Sequence, residues 1–68
     1  MITIFGKDMC PYTQAAIDDH RERGVSFAYV NVKKDQAQLD RMLIYTKGQR
    51  RVPVIVDGDQ VTIGFGGT

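Results

Sequence analysis

The 68-residue chain contains one cysteine, Cys10, and this fact constrains its fold more than any other. No disulfide can form within the chain. A structural zinc site typically needs about four cysteine or histidine ligands, and only Cys10 and His20 are available. The chain must therefore bury an apolar core without a covalent or metal staple, and a core of this size supplies about 3–5 kcal/mol. The length predicts a single domain over residues 1–68.

Charge and hydropathy exclude two classes of function. The net charge is +1, and short basic pairs such as Arg50-Arg51 are offset by acidic residues, so the basic stripe of a nucleic-acid binder is missing. No apolar run approaches the roughly 18 residues of a membrane span. The first five residues lack the basic flank and cleavage site of a secretory signal. With a single free thiol, these features predict a cytoplasmic protein that binds neither nucleic acid nor membrane.

Apolar runs and turn residues predict the order of secondary structure. Residues 2–5 are β-branched or aromatic and predict a strand, and Pro11 suits the first position of a helix that ends near Arg23 at Gly24. The other predicted elements are a strand over 27–32, a helix capped by Asp35 and Gln38 and closed by Lys47-Gly48, a strand over 54–56, a turn at Asp57-Gly58 and a strand over 60–63. This β-α-β-α-β-β order predicts an α/β fold with one four-stranded mixed sheet.

The first predicted helix has a thin apolar face. Tyr12, Ala15, Ala16 and Ile17 are expected to pack on the sheet. His20 lies about three turns from Cys10, so a Cys–His catalytic pair is not expected, and His20 is predicted to lie on the solvated face.

Cys10 falls between the first strand and the first helix. As the N-cap, its sulfur can accept hydrogen bonds from the amides of Tyr12 and Thr13. The helix dipole and the nearby charge of Lys7 also favour a thiolate, so the pKa should lie below the roughly 8.5 of a free thiol. The alternative is a buried cysteine that acts as a small apolar residue. The strand–Cys-Pro–helix context favours a reactive thiol.

Three groups of residues carry a family resemblance. Lys7 with Cys10-Pro11-Tyr12-Thr13, then Gly48-Gln49-Arg50-Arg51-Val52-Pro53, then Gly66-Gly67, are similar to the motifs of glutaredoxins, a family with a thioredoxin-like fold. The resemblance spans nearly the whole chain in the right order. It implies a glutathione-linked thiol–disulfide oxidoreductase. Glutathione would be its co-substrate, glutathionylated or disulfide proteins its partners, and no metal would be needed.

The resemblance also implies roles for individual residues. Cys10 would be the nucleophile, Tyr12 would shape the groove beside it, and a cis Val52-Pro53 peptide would pair with the cysteine of glutathione. The remaining implied contacts are Lys7 and Gln49 with the glycyl carboxylate, Gly66 with the peptide backbone, and Gly67 and Thr68 near the glutamyl end.

Three departures from the family pattern matter. Thr13 occupies the position of a resolving cysteine, which predicts a monothiol mechanism, and its hydroxyl is expected either to bond the sulfur or to cap the helix. Arg51 replaces a threonine and would contact a carboxylate or remain solvated. The family's last helix is missing, as in a member truncated at the C-terminus. Residues among Val61, Ile63 and Phe65 would then be uncovered on the face shared with the first helix, which favours a homodimer.

Two other functions stay open at the level of sequence. An iron–sulfur carrier would hold a [2Fe–2S] cluster between two chains, each giving Cys10 and one glutathione thiol, although Pro11-Tyr12-Thr13 is not the Gly-Phe-Ser usual in such carriers. A docking module with an incidental thiol is the other alternative.

Overall fold

The chain forms a mixed β-sheet with two helices. The structure is a computed structural model that describes residues 1–66. Its elements are β1 (Ile2–Gly6), α1 (Pro11–Glu22), β2 (Phe27–Asn31), α2 (Gln36–Thr46), β3 (Val54–Asp57) and β4 (Gln60–Ile63). The sheet has four strands in the order β2-β1-β3-β4, with β2 parallel to β1 and the other neighbours antiparallel. This arrangement confirms the predicted thioredoxin-like fold. No helix follows β4 in residues 1–66.

Strand direction brings four segments to one edge of the sheet. Gly6 at the end of β1 lies opposite Asn31 at the end of β2. Phe5 lies opposite Val54 at the start of β3, and Val54 lies opposite Ile63 at the end of β4. The residues that follow β1, β2 and β4 and those that precede β3 therefore meet at this edge. We call it the thiol edge, because Cys10 follows β1 there.

The two helices pack on opposite faces of the sheet. Phe5, Val54 and Val56 form the core with Met42 of α2, and Leu39 and Leu43 pack against that core as their helical spacing predicts. Because side chains alternate along a strand, Gly6 faces away from this core, toward Thr13 of α1.

The buried face of α1 differs from the predicted one. The buried residues are Thr13, Ala16, Ile17 and His20, whereas Tyr12 and Ala15 are exposed. The spacing 13, 16, 17, 20 is itself helical, so the same helix is rotated relative to the sequence-based expectation. The rotation places the polar side chain of Thr13 against the sheet and leaves the aromatic side chain of Tyr12 exposed.

His20 is a core residue, and its predicted place on the solvated face was wrong. Its side chain is 5% exposed, and its ring lies edge-on to Phe27 with centroids 5.8 Å apart. Nδ1 donates a hydrogen bond to the carbonyl oxygen of Ala16 at 2.7 Å. This bond satisfies one of the two ring nitrogens, which lowers the cost of burying the imidazole among apolar residues.

The ends of α2 are close to those predicted. Asp35 caps the helix by accepting from the amide of Ala37 at 3.0 Å. The side-chain oxygen of Gln38 accepts a hydrogen bond from Arg41 at 2.9 Å, so this oxygen is engaged outside the predicted capping pair with Asp35. At the other end Lys47, not glycine, is the first residue with a positive φ (57°), and Gly48 follows it.

The hairpin turn lies one residue further along the chain than predicted. Asp57 is part of β3 and pairs with Gln60, so Gly58 and Asp59 form the connection. Gly58 has a φ of 58° at the first turn position, as in the type II′ turns that match strand twist.

Of the side chains expected on an uncovered face shared with α1, Val61 and Ile63 lie on the other face, whereas Phe65 lies where it was expected. Val61 and Ile63 pair with Val56 and Val54, so they share the α2 face, and Ile63 packs against the core. The face shared with α1 instead carries a shallow depression of about 310 Å³, lined by Ile2, His20, Arg23, Ile55, Asp57, Gln60, Thr62 and Phe65. Phe65 and two isoleucines share this lining with polar side chains, and the homodimer stays a prediction. Neither α1 nor α2 has the length and apolar character to cross a bilayer.

Candidate active site

Cys10 is the N-cap of α1 at the thiol edge. Its backbone is extended (φ −98°, ψ 116°), Pro11 occupies the first helical position, and the amide of Gln14 donates to the Cys10 carbonyl at 2.9 Å. The residue is 9% exposed between the exposed side chains of Met9 and Tyr12. Cys10 therefore lies at the start of a helix, as the sequence predicted, and it is mostly buried rather than open to solvent.

The surroundings of Cys10 favour its thiolate. Burial by itself raises the pKa of the thiol. The Thr13 side chain and the amides of Thr13 and Tyr12, which face the sulfur without completing a well-formed capping hydrogen bond, outweigh burial, and the charge of Lys7 adds to them. The net result is a pKa below its ordinary value of 9.0. A thiolate is the nucleophilic form of cysteine, so this geometry prepares Cys10 for attack on a disulfide.

Thr13 lies in the first turn of α1, three residues after Cys10. Its side chain is 1% exposed, and Oγ1 has no well-formed hydrogen bond to any group in residues 1–66. The Cys10 sulfur is the acceptor that this hydroxyl faces. Of the two roles predicted for the hydroxyl, the interaction with sulfur is the one that the structure supports.

The segments before β3 and after β4 close one side of the site. The Val52-Pro53 peptide is cis, as the resemblance implies. The carbonyl oxygen of Pro53 accepts from the amide of Gly64 at 2.7 Å, which ties the last segment to this loop. Gly66 has a φ of 66°, and a Cβ built on it would lie 3.9 Å from Cδ1 of Tyr12. Gly67 and Thr68 lie outside the described residues.

A cleft of about 380 Å³ opens at the thiol edge beside Val52. It is lined by Lys7, Val32, Lys33, Gln36, Leu39, Met42, Arg50 and Val52. The structure thus brings together Lys7 and Val52 of the predicted site. Gln49 and Arg51 are exposed and do not line the cleft, while Arg50, between them, does.

Lys33 and Gln36 were missed by sequence reasoning. A signal for them was present, because both follow the second strand, and parallel neighbouring strands end at the same edge of a sheet. Recognising this would have placed the 33–36 segment beside Lys7.

A polar cluster lies between loop 7–10 and β2. The hydroxyl of Tyr29 donates to Oδ1 of Asp8 at 3.0 Å, and Nζ of Lys34 lies 3.6 Å from Oδ2 of the same carboxylate. Burial, the bond to Asp8 and the charges of Asp8 and Cys10 raise the pKa of Tyr29 to about 12. The Tyr29 hydroxyl thus fixes the loop that leads to the thiol.

Fold and site together define a thiol–disulfide oxidoreductase with a thioredoxin-like fold. The sequence profile of the family described as Glutaredoxin matches residues 2–61, and the chain belongs to the glutaredoxin family. No three histidine, cysteine, aspartate or glutamate side chains in residues 1–66 are grouped so that they could hold a metal ion.

Solved structures similar to this chain include three from different organisms. A glutaredoxin from Archaeoglobus fulgidus aligns with a TM-score of 0.86 and 21% identity over 96% of this chain and 75% of its own. The glutaredoxin-like NrdH-redoxin of Escherichia coli aligns with a TM-score of 0.80 and 28% identity over 96% and 83%. A wheat glutaredoxin aligns with a TM-score of 0.76 and 21% identity over 93% and 60%. No curated protein sequence matches the chain significantly.

Proposed function

We propose that the protein is a glutathione-linked oxidoreductase with a monothiol mechanism, which removes glutathione from glutathionylated proteins or reduces small disulfides in a reducing cytoplasm. One observation carries the proposal. The surroundings of Cys10 at the start of α1 lower its pKa, and the residue one turn on is Thr13 and not a second cysteine, so the exchange must be completed by an external thiol.

The proposed reaction has two exchange steps. The Cys10 thiolate attacks the glutathione sulfur of a mixed disulfide, the substrate S–S bond breaks, and the substrate sulfur leaves as a thiolate that takes a proton from water. A second glutathione thiolate then attacks the glutathione sulfur bound to Cys10. This step breaks the bond between Cys10 and glutathione, releases glutathione disulfide and regenerates the Cys10 thiolate. In the net reaction the substrate sulfur is reduced to a thiol and the sulfur of the one incoming glutathione is oxidised to the disulfide level.

The cleft beside Val52 supports binding of glutathione. Lys7 offers an ammonium group for the glycyl carboxylate, and the backbone of Val52 would pair with the cysteine of glutathione as an added strand does. Gly66, next to Tyr12, leaves room for a peptide backbone to approach. Gln49 and Arg51 do not line the cleft, so Lys7 is the proposed partner of the glycyl carboxylate of glutathione.

Turnover of a glutathione mixed disulfide tests the proposal. The protein should reduce it with glutathione as the only reductant, and the oxidised protein should carry one glutathione by mass. Cys10→Ser should abolish turnover, and Thr13→Ser, which keeps a hydroxyl, should retain it. Undiminished activity in Cys10→Ser, or an oxidised protein that accepts no glutathione, would refute the proposal.

A second candidate differs only in the reductant. The similarity to the Escherichia coli NrdH-redoxin, a glutaredoxin-like protein whose structure is described as explaining a thioredoxin-like activity profile, favours a reductant other than glutathione. Under this alternative, disulfides without glutathione would still be reduced by Cys10 with a small dithiol. Glutathione would neither accelerate the reaction nor form a stable adduct.

A further inference from the structure

The cleft at the thiol edge carries more positive charge than one carboxylate requires. Lys7, Lys33 and Arg50 all line it, and its lining includes no aspartate or glutamate. All three side chains belong to exposed residues. If Lys7 receives the glycyl carboxylate of glutathione, Lys33 and Arg50 remain for another anionic group.

The acidic residues near the cleft are already engaged. Asp8 accepts the Tyr29 hydroxyl at 3.0 Å and lies 3.6 Å from Lys34. Asp35 caps α2 through its bond to Ala37. Within residues 1–66 no carboxylate lies at ion-pair distance from Lys33 or Arg50. The positive charge of the cleft is therefore not neutralised from within the described fold.

Much of the acidic charge lies away from the thiol edge. Asp18 and Asp19 are more than two turns along α1 from Cys10, and Asp57 pairs with Ile2 at the opposite edge of the sheet, followed by Asp59 in the turn. A chain of net charge +1 is thus polarised, with Lys7, Lys33 and Arg50 at the thiol edge in a cleft whose lining does not include Cys10 itself. Such a field steers anionic partners toward the site and repels cationic ones.

We propose that the thiol edge selects protein substrates whose reactive cysteine lies in an acidic segment, with Lys33 and Arg50 contacting the carboxylates of that segment. This inference rests on the proposed function, because it concerns the protein half of the mixed disulfide. The partner is a polypeptide because it must supply the sulfur that leaves when Cys10 attacks. Contacts with Lys33 and Arg50 would hold that segment beside the sulfur during exchange.

Three short peptides test the inference. They share one central cysteine in a mixed disulfide with glutathione and differ only in flanking residues, which are glutamate, glutamine or lysine. We expect kcat/KM for the acidic peptide to exceed that for the neutral peptide about tenfold at low salt, the lysine peptide to be slowest, and the difference to vanish near 1 M salt, where the Debye length is about 3 Å.

Charge-reversal variants locate the effect. Lys33→Glu combined with Arg50→Glu should remove or invert the ratio of acidic to neutral turnover. Arg21→Glu with Arg23→Glu, the same change in net charge at exposed positions near the C-terminal end of α1, should leave the ratio nearly unchanged. The ratio is taken within each variant, so a general change in glutathione handling cancels.

The outcomes separate this inference from the proposed function. Equal turnover of all three peptides would overturn the acidic-partner inference alone. Failure to turn over any of them would overturn the proposed function as well. A single-stranded oligonucleotide that competes as strongly as a free acidic peptide would show a general polyanion surface and would also overturn the inference.

Discussion

Gly6 and Thr13 fit together so closely that no side chain can be added at position 6 without displacement. A Cβ built on Gly6 would lie 2.4 Å from Cγ2 and 2.7 Å from Oγ1 of Thr13. Gly6 ends β1 and Thr13 lies in the first turn of α1, so the missing side chain sets how closely that turn approaches the sheet. The same contact fixes the Thr13 hydroxyl beside the Cys10 sulfur.

Gly6→Ala should therefore disturb both stability and the thiol. We expect a loss of about 1–3 kcal/mol in the free energy of unfolding, because overpacking displaces the first turn of α1. The pKa of Cys10 should rise as the Thr13 hydroxyl moves away from the sulfur. Urea unfolding and the pH dependence of alkylation measure the two effects. The double variant Gly6→Ala with Thr13→Ala should regain much of the stability, and no recovery would contradict the packing explanation.

The Thr13 hydroxyl should be a determinant of thiol reactivity. Thr13→Val keeps the shape of the side chain but removes the donor, so we expect a higher pKa for Cys10 and slower alkylation at mildly acidic pH. Thr13→Ser keeps the donor and should stay close to the parent protein in pKa. Loss of a buried hydroxyl without a well-formed bond should leave stability unchanged or increased in Thr13→Val. An identical alkylation profile in Thr13→Val would exclude a hydroxyl–sulfur interaction.

Tyr29 should ionise at a higher pH than a free tyrosine, which makes the stability of the fold depend on pH in the alkaline range. Its pKa is raised to about 12 from an ordinary value of 10.0. The unfolded chain therefore loses this proton first, and the contribution of Tyr29 to stability is complete below pH 10 and is lost as pH rises through about 12. Ultraviolet titration of tyrosinate should show this late step. Asp8→Asn should move it to lower pH. Asp59→Asn should not, because Asp59 lies in the turn between β3 and β4, and β2 with Tyr29 is at the other side of the sheet.

His20 should behave as a core residue in mutagenesis. His20→Ala removes a ring that packs against Phe27, so we expect a loss of about 1–3 kcal/mol in the free energy of unfolding. Arg21→Ala, the exposed neighbour on α1, should change it by less than about 0.5 kcal/mol. Urea unfolding of both variants measures the difference. Equal losses of unfolding free energy in the two variants would contradict the placement of the His20 side chain in the core.

Element order and the position of the thiol were predictable because they depend on local signals. The run 2–5, the Cys10-Pro11 step and the glycines that end segments each act over a few residues, and the structure reproduces them. The motifs around Cys10 and Val52-Pro53 were sufficient to predict the family, which the profile match over residues 2–61 confirms.

The rotation of α1 and the composition of the cleft were decided by tertiary structure. The burial of Thr13 depends on the space that Gly6 leaves on β1, and the burial of His20 depends on its packing against Phe27 of β2. Lys33 and Arg50 join Lys7 because strand direction brings three separate connections to one edge. Local patterns determine which segments become helices and strands, since they act through neighbouring residues. Which side chains share a surface depends on long-range packing, which no single stretch of the sequence contains.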